Sequence, residues 1–286
     1  MRLACPPDLV VTTADDSARV DYPPPAVAGA VKIGCAPASG SSFPLGRSTT
    51  TCTATEGRRQ AAACTFTVTV NAIATLGATH FVAFGDSITE GKLPSGALVR
   101  SPYPAVLQQL LAARYRSQIF VVENHGVGSE TTDAGLARLP AALAPDAEVL
   151  LLVEGVNDLA FGNPAAIEPA IANLDAMVRA ASDRGARVFV GTLLPEFAGG
   201  SPDRSRARPL IEPANDRIRA MAARQGAEIV DLHHAFVGLE RSLIGADGLH
   251  PTEAGYETIA AAFFDAIRQR LEPLPSRSFV ARALLR

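Results

Sequence analysis

The sequence predicts an α/β domain built on a doubly wound, five-stranded parallel sheet, preceded by a small all-β sandwich. Three observations support this prediction. Short Val- and Thr-rich runs fill the first quarter of the 286-residue chain. The same quarter holds all four cysteines. From His80 onward, short apolar runs alternate instead with helical segments, which is typical of a parallel sheet with helices on both faces.

The composition limits the classes of function. Apolar residues make up 48% of the chain and charged residues 19%, as in a globular protein. The net charge of −3 gives no electrostatic reason to expect nucleic acid as a partner. No apolar run reaches the roughly 20 residues of a membrane span, and the N-terminus lacks the apolar region of a secretory signal peptide. The early Cys5-Pro6 pair suits a chain from which a signal peptide has been removed.

The β region is predicted from four short runs separated by clusters of Gly, Ser and Pro. The last run alternates at period two, as a half-buried strand does. We therefore expect a small antiparallel sandwich over residues 1–72. A segment of this length buries only a small core, so cross-links would contribute much of its stability. The predicted strands are residues 9–13, 30–33, 49–53 and 65–70.

The cysteines predict two disulfides. Cys5, Cys35, Cys52 and Cys64 are an even set confined to one short segment, which favours disulfides and an oxidising, extracellular or periplasmic compartment. A zinc site and free thiols are the alternatives. The spacings contain no C-x₂₋₄-C pair, which argues against zinc. Four cysteines allow three pairings, and the sequence leaves all three open.

Five segments of this region resemble a hyalin-repeat (HYR) domain. The resemblance implies an immunoglobulin-like extracellular module, used for adhesion or as a spacer, that contacts another domain, a protein or a polysaccharide. One departure is at residues 56–59, where the family usually turns through an Asp and a Gly-Asn pair. The matching segments are residues 5–9, 20–23, 38–46, 51–55 and 64–68.

The second region is predicted as one α/β domain over residues 80–272, joined by a linker at 73–79 and followed by a tail at 273–286. Its strands are residues 81–84, 119–122, 149–153, 188–190 and 229–232. Two helices are indicated by apolar residues that recur every three or four positions. Pro273 and Pro275 end the second helix. The apolar faces are Ile167, Ile171, Leu174 and Val178 in one helix, and Tyr256, Ile259, Phe263, Ile267 and Leu271 in the other.

Three short motifs contain the groups of a serine hydrolase. Ser87 follows a predicted strand and a glycine, and Asn157 follows another strand. Asp247 precedes His250 by three residues, in a turn where its carboxylate can reach Nδ1 while Nε2 faces the serine. The structural alternatives are a helix-capping role for Ser87, a turn role for Asn157 and a simple Asx-turn for Asp247. Because the motifs occur together at predicted strand ends, we favour a nucleophile, a base, its orienting acid and an amide donor.

Four other histidines compete with His250 for the role of base. His233 and His234 are adjacent and so point to different sides, and no further ligand cluster accompanies them. His125 lies in a glycine-rich loop and could line the site. His80 precedes the first strand of the region. Only His250 has a carboxylate three residues upstream.

Residues 80–272 resemble the SGNH (GDSL-type) hydrolase family. The matching blocks are Gly85-Asp86-Ser87 with the residues after it, Gly155-Val156-Asn157-Asp158, and Asp247-Gly248-Leu249-His250-Pro251. The resemblance implies a flavodoxin-like sheet, a catalytic triad of Ser87, Asp247 and His250, and an oxyanion hole that includes Ser87 and Asn157. No G-x-S-x-G elbow surrounds Ser87, which argues against an ordinary α/β-hydrolase.

One block departs from the family. The loop at residues 124–132 has Ser129 where the family usually places an oxyanion glycine. Serine also has a backbone N–H, so the replacement is acceptable unless the position requires φ > 0. A shift of one residue would give the role to Gly128. Ser129 and Gly128 therefore remain alternative donors.

The sequence thus predicts a serine esterase that hydrolyses carboxylic esters through an acyl-Ser87 intermediate and needs no metal or organic cofactor. Short-chain acyl or aryl esters are the favoured substrates. The segment at 135–140 resembles the thioesterase, lysophospholipase and arylesterase branch, whereas an attached HYR module suggests a carbohydrate deacetylase. The loop at 195–209, which would shape acyl preference, has no readable pattern. A non-enzymatic alternative is an adhesive or spacer protein with an inactive hydrolase-like scaffold.

Overall fold

The computed structural model describes residues 2–13, 15–27, 32–57, 59–143, 146–197 and 206–273. The chain divides into two compact units, with Met1–Thr75 in the first and Leu76–Glu272 in the second. This division falls inside the predicted linker at residues 73–79. All helices of the described residues lie in the second unit.

The first unit consists of short and long strands. Its largest sheet has four strands in the order β2-β8-β7-β5, and the pairs β1-β4 and β3-β6 form two further small sheets. The core contains Tyr22, Phe43 and Phe66, and the Phe66 ring meets the Tyr22 ring edge-on at 4.9 Å. The strands are β1 (Leu3–Ala4), β2 (Leu9–Thr13), β3 (Ser17–Val20), β4 (Ala26–Val27), β5 (Lys32–Ala36), β6 (Ser41–Pro44), β7 (Gly46–Glu56) and β8 (Arg59–Ala72).

Two features of the first unit differ from the expected antiparallel sandwich. Strand β2 pairs with β8 in parallel, with Leu9 opposite Val68. These strands are distant in sequence, so no hairpin forces them to be antiparallel. The predicted strand at 30–33 becomes β5, which begins at Lys32; residues 30 and 31 lie outside the described residues. The immunoglobulin-like and HYR interpretations of this unit remain predictions.

The four cysteines form two disulfides. Cys5 is bonded to Cys64, and Cys35 is bonded to Cys52 on the neighbouring strand. Cys52 also lies opposite Cys64 in the β7–β8 register. The sheet thus places three of the cysteines side by side, and the pairing could not be read from their spacing. No free cysteine occurs in the described residues.

Reduction should destabilise the first unit selectively. The Cys5–Cys64 loop spans 59 residues and the Cys35–Cys52 loop 17, so losing them should cost about 4 and about 3 kcal/mol respectively. The chain after Cys64 contains no cysteine, so the helical signal at 222 nm should melt at an unchanged temperature. The double variant Cys35→Ser/Cys52→Ser should reproduce the smaller loss. The intact mass should rise by four hydrogens on reduction; four alkylatable thiols before reduction would contradict the pairing.

The second unit is an α/β fold with five strands and eight α-helices among its described residues. The strands are β9 (His80–Gly85), β10 (Val121–Gly126), β11 (Val149–Val153), β12 (Arg187–Gly191) and β13 (Glu228–Val230). The helices are α1 (Ser87–Glu90), α2 (Tyr103–Arg114), α3 (Thr132–Ala142), α4 (Ile167–Ser182), α5 (Arg208–Gln225), α6 (Leu232–Phe236), α7 (Glu240–Leu243) and α8 (Glu253–Leu271). A short 3₁₀ helix, Pro164–Ala166, precedes α4.

The five strands form one parallel sheet in the order β10-β9-β11-β12-β13. Helix α2 packs against α8, whereas α3, α4 and α5 pack against one another in series. Because parallel crossovers are right-handed, the reversal of strand order after β10 puts these two groups on opposite faces of the sheet. This is the doubly wound architecture that the sequence predicts, with the chain reversing beside β9.

The central strands agree with their predicted positions, and the edge strands do not. Strand β11 matches the apolar run at 149–153 and is fully buried. At one edge, β10 begins at Val121, and Ile119 from the predicted run is 88% exposed. At the other edge, β13 ends at Val230, and Leu232 already belongs to α6. An edge strand has a neighbouring strand on one side only and is partly exposed to solvent. An apolar run therefore does not mark where it begins and ends.

The two helices predicted from periodicity are present. In α8, the five apolar residues at 256, 259, 263, 267 and 271 are all buried, and Tyr103 of α2 stacks on Phe263 at 5.4 Å. In α4, Ile171, Leu174 and Val178 are buried, and Asp175 pairs with Arg179 on the polar side. Pro273 follows α8, and Pro275 lies outside the described residues. None of the described helices has the length and apolar character needed to cross a membrane.

Candidate active site

Ser87 lies where the central strand β9 turns into α1. The N-cap of this helix is Asp86, whose carboxylate accepts a hydrogen bond from the Ile88 N–H at 2.9 Å. Capping is therefore done by Asp86, and the Ser87 hydroxyl is free for another partner. The neighbouring strand β10 approaches very closely, because a Cβ at Gly126 would lie 1.9 Å from the Glu90 nitrogen. Only glycine allows the loop after β10 to lie against this turn.

The hydroxyl of Ser87 meets His250. Its Oγ lies 2.9 Å from His250 Nε2, although the two residues are 163 positions apart in sequence. On the other side of the ring, His250 Nδ1 lies 2.5 Å from Asp247 Oδ2. Ser87 and Asp247 are 4% and 6% exposed. In the neutral tautomer that carries its proton on Nδ1, the ring donates to the carboxylate and presents the Nε2 lone pair to the serine hydroxyl.

Asp247 also forms the turn that was its structural alternative. Its Oδ1 accepts the backbone N–H groups of Leu249 and His250, at 3.1 and 3.0 Å. One carboxylate oxygen thus fixes the turn, and the other fixes the imidazole. The two interpretations of Asp247 were not exclusive, since a carboxylate has enough lone pairs for both.

Asn157 follows β11 and points toward the loop after β10. Its Nδ2 donates a hydrogen bond to the Glu130 carbonyl at 2.8 Å. The backbone carbonyl of Asn157 accepts a hydrogen bond from the Ala160 N–H, so the residue also forms a turn. A side-chain amide has two N–H groups, and the bond to Glu130 orients the second.

Ser129 has the left-handed backbone that the family's glycine would suit. Its φ is +64°, the only positive φ at a non-glycine residue in the described part of the chain. Gly128 has no such φ. The left-handed position is therefore occupied by Ser129, which favours Ser129 over Gly128 as the counterpart of the oxyanion glycine. A positive φ is the condition under which serine is unfavourable here, and it costs roughly 1–2 kcal/mol of conformational free energy.

The other histidines lie outside this arrangement. His80 and His125 both contact Glu123, at 3.0 and 2.7 Å. His233 and His234 belong to α6, and Nδ1 of His233 is 3.7 Å from a carboxylate oxygen of Glu212. Within the described ranges, no group of three His, Cys, Asp or Glu residues could hold a metal ion.

The prediction from sequence missed Glu154, the residue between β11 and Gly155. Its side chain is buried, and neither carboxyl oxygen has a hydrogen-bond partner among the described residues. Burial, with the negative charges of Asp86 and Glu130 nearby, raises its pKa to about 9. The carboxyl therefore stays protonated at neutral pH. Gly135 of α3 packs directly on it, since a Cβ there would lie 2.4 Å from Oε1.

The raised pKa of Glu154 predicts a pH-dependent stability. In the unfolded chain the carboxyl ionises near its usual pKa of 4.5, but the folded protein keeps it neutral up to about 9. The contribution of the neutral Glu154 carboxyl to the free energy of unfolding is thus full below pH 4.5. It is lost as the pH rises toward 9, by up to about 1.4 kcal/mol per pH unit. Glu154→Gln should remove this loss. The free energy of unfolding of the variant should therefore rise relative to that of the wild type between pH 6 and 8, as measured by urea unfolding at 222 nm.

Glu148 provides the control for this experiment. The Thr79 backbone N–H bonded to its carboxylate lowers its pKa. It is therefore ionised in both states between pH 6 and 8, and Glu148→Gln should change stability by the same amount at each pH. Parallel pH curves for the wild type and Glu154→Gln would contradict a neutral Glu154.

Asp158, the residue after Asn157, braces the start of α3. Its two carboxylate oxygens accept the backbone N–H and the hydroxyl of Thr132, at 3.0 and 2.7 Å. Thr132 is the first residue of α3, so Asp158 fixes the start of this helix. The helix follows the loop at residues 124–132, which is called the Ser129 loop below. A carboxylate at a helix N-terminus is also favoured by the helix dipole.

Comparison with known proteins identifies the family. A model of the GDSL-like Lipase/Acylhydrolase family matches residues 83–258, which is more than half of the chain. The chain belongs to this family. The matched range contains Ser87, Asn157, Asp247 and His250, and the family acts on ester bonds. The protein is accordingly a hydrolase of this class.

Individual relatives agree with this assignment. The chain is 32% identical to Esterase TesA of Pseudomonas aeruginosa over 173 residues, which are 59% of this chain and 78% of the relative. A lipase/acylhydrolase from Enterococcus faecalis is 25% identical with a TM-score of 0.59, over 68% of this chain and 98% of that one. Axe2, an acetylxylan esterase from Geobacillus stearothermophilus, is 22% identical with a TM-score of 0.56, over 68% and 96% of the two chains. This last likeness shows the fold alone.

Proposed function

We propose that the protein is a serine esterase in which Ser87 is the nucleophile, His250 the general base and Asp247 the acid that orients it. The observation that supports this most strongly is the continuous series of contacts from Ser87 Oγ to His250 Nε2 and from His250 Nδ1 to Asp247. Unassisted serine is a weak nucleophile at neutral pH, and a hydrogen-bonded base activates it.

The proposed reaction has two acyl-transfer steps. Ser87 Oγ attacks the ester carbonyl as His250 Nε2 takes its proton, and the resulting imidazolium is stabilised by Asp247. The tetrahedral oxyanion then collapses, the C–O bond to the alcohol breaks, and His250 gives the proton to the departing alcohol oxygen. Water activated by His250 attacks acyl-Ser87, which releases the acid and restores the serine hydroxyl.

Three donors are proposed for the oxyanion. The Ser87 N–H lies in the first turn of α1, where helix N–H groups lack intrahelical acceptors. The Ser129 N–H is the second donor, with Gly128 as the alternative. The second N–H of the Asn157 amide is the third. Donors aimed at a charge that exists mainly in the transition state lower the barrier without tightening substrate binding.

Short-chain acyl or aryl esters are the proposed substrates. An apolar cavity lies behind Gly155, lined by Leu159, Ile171, Leu174 and Leu193 among others. Its volume is about 10 Å³, which is room for about one water molecule. Ser87, Asp247 and His250 are not among its lining residues, so this cavity does not define the acyl site. Deacetylation of carbohydrates is the second candidate, favoured by the fold shared with an acetylxylan esterase.

The first unit is proposed to act outside the cell or in the periplasm, as an HYR-like module that contacts another domain, a protein or a polysaccharide. Its two disulfides support an oxidising compartment. In this interpretation the first unit serves attachment and the second unit serves catalysis.

A substrate panel tests the proposed function. We expect kcat/KM for p-nitrophenyl acetate and butyrate to exceed that for the palmitate ester by at least about tenfold, since one methylene that does not fit a hydrophobic pocket costs on the order of 1–3 kcal/mol. Acetylated xylan and acyl-CoA belong in the same panel. Preferential release of acetate from xylan would support the deacetylase, and preferential cleavage of acyl-CoA would contradict the ester preference. No hydrolysis of any member would overturn the enzymatic proposal.

A further inference from the structure

We propose that Arg138 is a positioning residue that holds the Ser129 loop in the geometry needed for oxyanion binding. This inference rests on the proposed function. Arg138 lies on α3, and its guanidinium bonds the His125 carbonyl and the Glu130 carboxylate, so it acts through the loop. Its guanidinium touches the strand of the nucleophile, the start of the loop and the end of the loop.

The contacts of Arg138 enclose Ser129 on both sides. Its Nη2 donates to the His125 carbonyl at 2.9 Å and to Glu130 Oε2 at 2.6 Å, while Nε donates to Glu130 Oε1 at 2.9 Å. The loop between these two anchors contains Ser129. The guanidinium also lies over the ring of Phe84, 4.0 Å from its centroid. Phe84 belongs to β9, three residues before Ser87.

The loop needs such support because Ser129 is strained. A left-handed serine costs roughly 1–2 kcal/mol, and such a residue persists only when its surroundings over-determine it. The Glu130 carboxylate is 5% exposed and bound by two guanidinium N–H groups. This bidentate pair fixes the residue directly after Ser129.

The same pair affects the amide of Asn157. The backbone carbonyl of Glu130 accepts the Asn157 Nδ2 hydrogen bond at 2.8 Å. A displacement of Glu130 would therefore move two of the three proposed oxyanion donors together. Arg138 is thus connected to the nucleophile strand through Phe84, and to the Ser129 and Asn157 donors through Glu130.

Lysine could not replace arginine in this role. The guanidinium makes a two-pronged bond to one carboxylate, reaches a carbonyl and stacks on an aromatic ring at the same time. An ammonium is a compact charge without the planar fork. We therefore expect Arg138→Lys to keep the charge and lose most of the positioning.

The experiment measures kcat, KM and thermal midpoint for Arg138→Gln, Arg138→Lys and Glu130→Gln with p-nitrophenyl acetate, at a temperature where each variant is folded. Misplacement of donors by about 1 Å lowers turnover about 10- to 100-fold, so kcat should fall by this factor with KM within about threefold. The double variant Arg138→Gln/Glu130→Gln should lose no more than the worse single variant, because the two residues act as one unit. Arg138→Lys and Glu130→Gln decide the question if Arg138→Gln does not fold.

Arg184→Gln is the matched control. Arg184 donates to the Pro140 and Leu143 carbonyls at the other end of α3, so its loss removes hydrogen bonds from the same helix without touching the loop. Its kcat should stay within twofold of the wild type. A Ser129→Gly background provides a second check, because glycine adopts φ > 0 readily, and the kcat loss from Arg138→Gln should be smaller there.

Several results would overturn the proposal. Near-normal kcat in Arg138→Gln with a lowered thermal midpoint would make the pair purely structural, as would an equal kcat loss in Arg184→Gln. Losses that multiply in the double variant would show that Arg138 does not act through Glu130. A wild-type protein without esterase activity would overturn the proposed function itself, whereas an active wild type with an unaffected Arg138→Gln overturns this inference alone.

Discussion

Ser87→Ala should abolish ester hydrolysis and leave the fold unchanged. The hydroxyl contacts His250 Nε2, whereas the helix cap is provided by Asp86. The loss in kcat should therefore reach the order of 10⁴–10⁶-fold, with a thermal midpoint within about 1 °C of the wild type because no cap or core contact is removed. The measurement is kcat for p-nitrophenyl acetate beside thermal unfolding at 222 nm.

The matched control is Ser95→Ala, which removes a hydroxyl from an exposed residue in the loop after α1. Its hydroxyl oxygen accepts only a long bond from the Ala97 N–H, 3.4 Å, so the variant should keep its full kcat. His250→Ala should lose nearly as much activity as Ser87→Ala, since the serine would have no base. Undiminished hydrolysis in either of these two variants would exclude the proposed mechanism.

Asn157→Ala should lower kcat by on the order of 10²–10³-fold with little change in KM. The amide is proposed to stabilise charge that exists mainly in the transition state, so ground-state binding should be nearly unaffected. Because Asn157 also bonds the Glu130 carbonyl, the variant should lose about 1 kcal/mol of stability as well. The measurement pairs kcat and KM with urea unfolding.

Asn157→Asp separates the oxyanion role from a turn role. A carboxylate cannot donate to the Glu130 carbonyl, and it would place a negative charge beside the developing oxyanion. Its kcat should be no better than that of Asn157→Ala. Aspartate is a good turn residue, so a purely structural asparagine would tolerate it. Near-normal turnover in Asn157→Asp would show that the oxyanion hole had been assigned wrongly.

The central part of the fold could be predicted because buried parallel strands have a strong sequence signal. The run at 149–153 coincides with β11, and the period of α8 gives its buried face residue by residue. The edge strands could not be predicted equally well. Ile119 is apolar yet 88% exposed, and β10 extends instead into the polar residues 123–125. A strand is continuously apolar when both of its faces are buried, and a partly exposed edge strand is free of this constraint.

The candidate site was predictable where residues at a fixed spacing indicate a specific geometry. Ser87, Asp247 and His250 were identified because a carboxylate three residues before a histidine suggests a specific geometry, and the structure brings all three together. The Glu130–Arg138 pair was missed. A Glu and an Arg eight residues apart resemble any surface pair in sequence, and only the fold shows that this carboxylate is 5% exposed and lies beside the Ser129 loop.

Covalent labelling tests the central claim most directly. The tryptic peptide of residues 60–92 contains a single serine, Ser87. Treatment with a fluorophosphonate should add one phosphonyl group to the protein, and peptide mapping should place it on Ser87 in parallel with loss of esterase activity. The Ser87→Ala variant should acquire no label. A label on another peptide, or continued ester hydrolysis by fully labelled protein, would contradict Ser87 as the nucleophile.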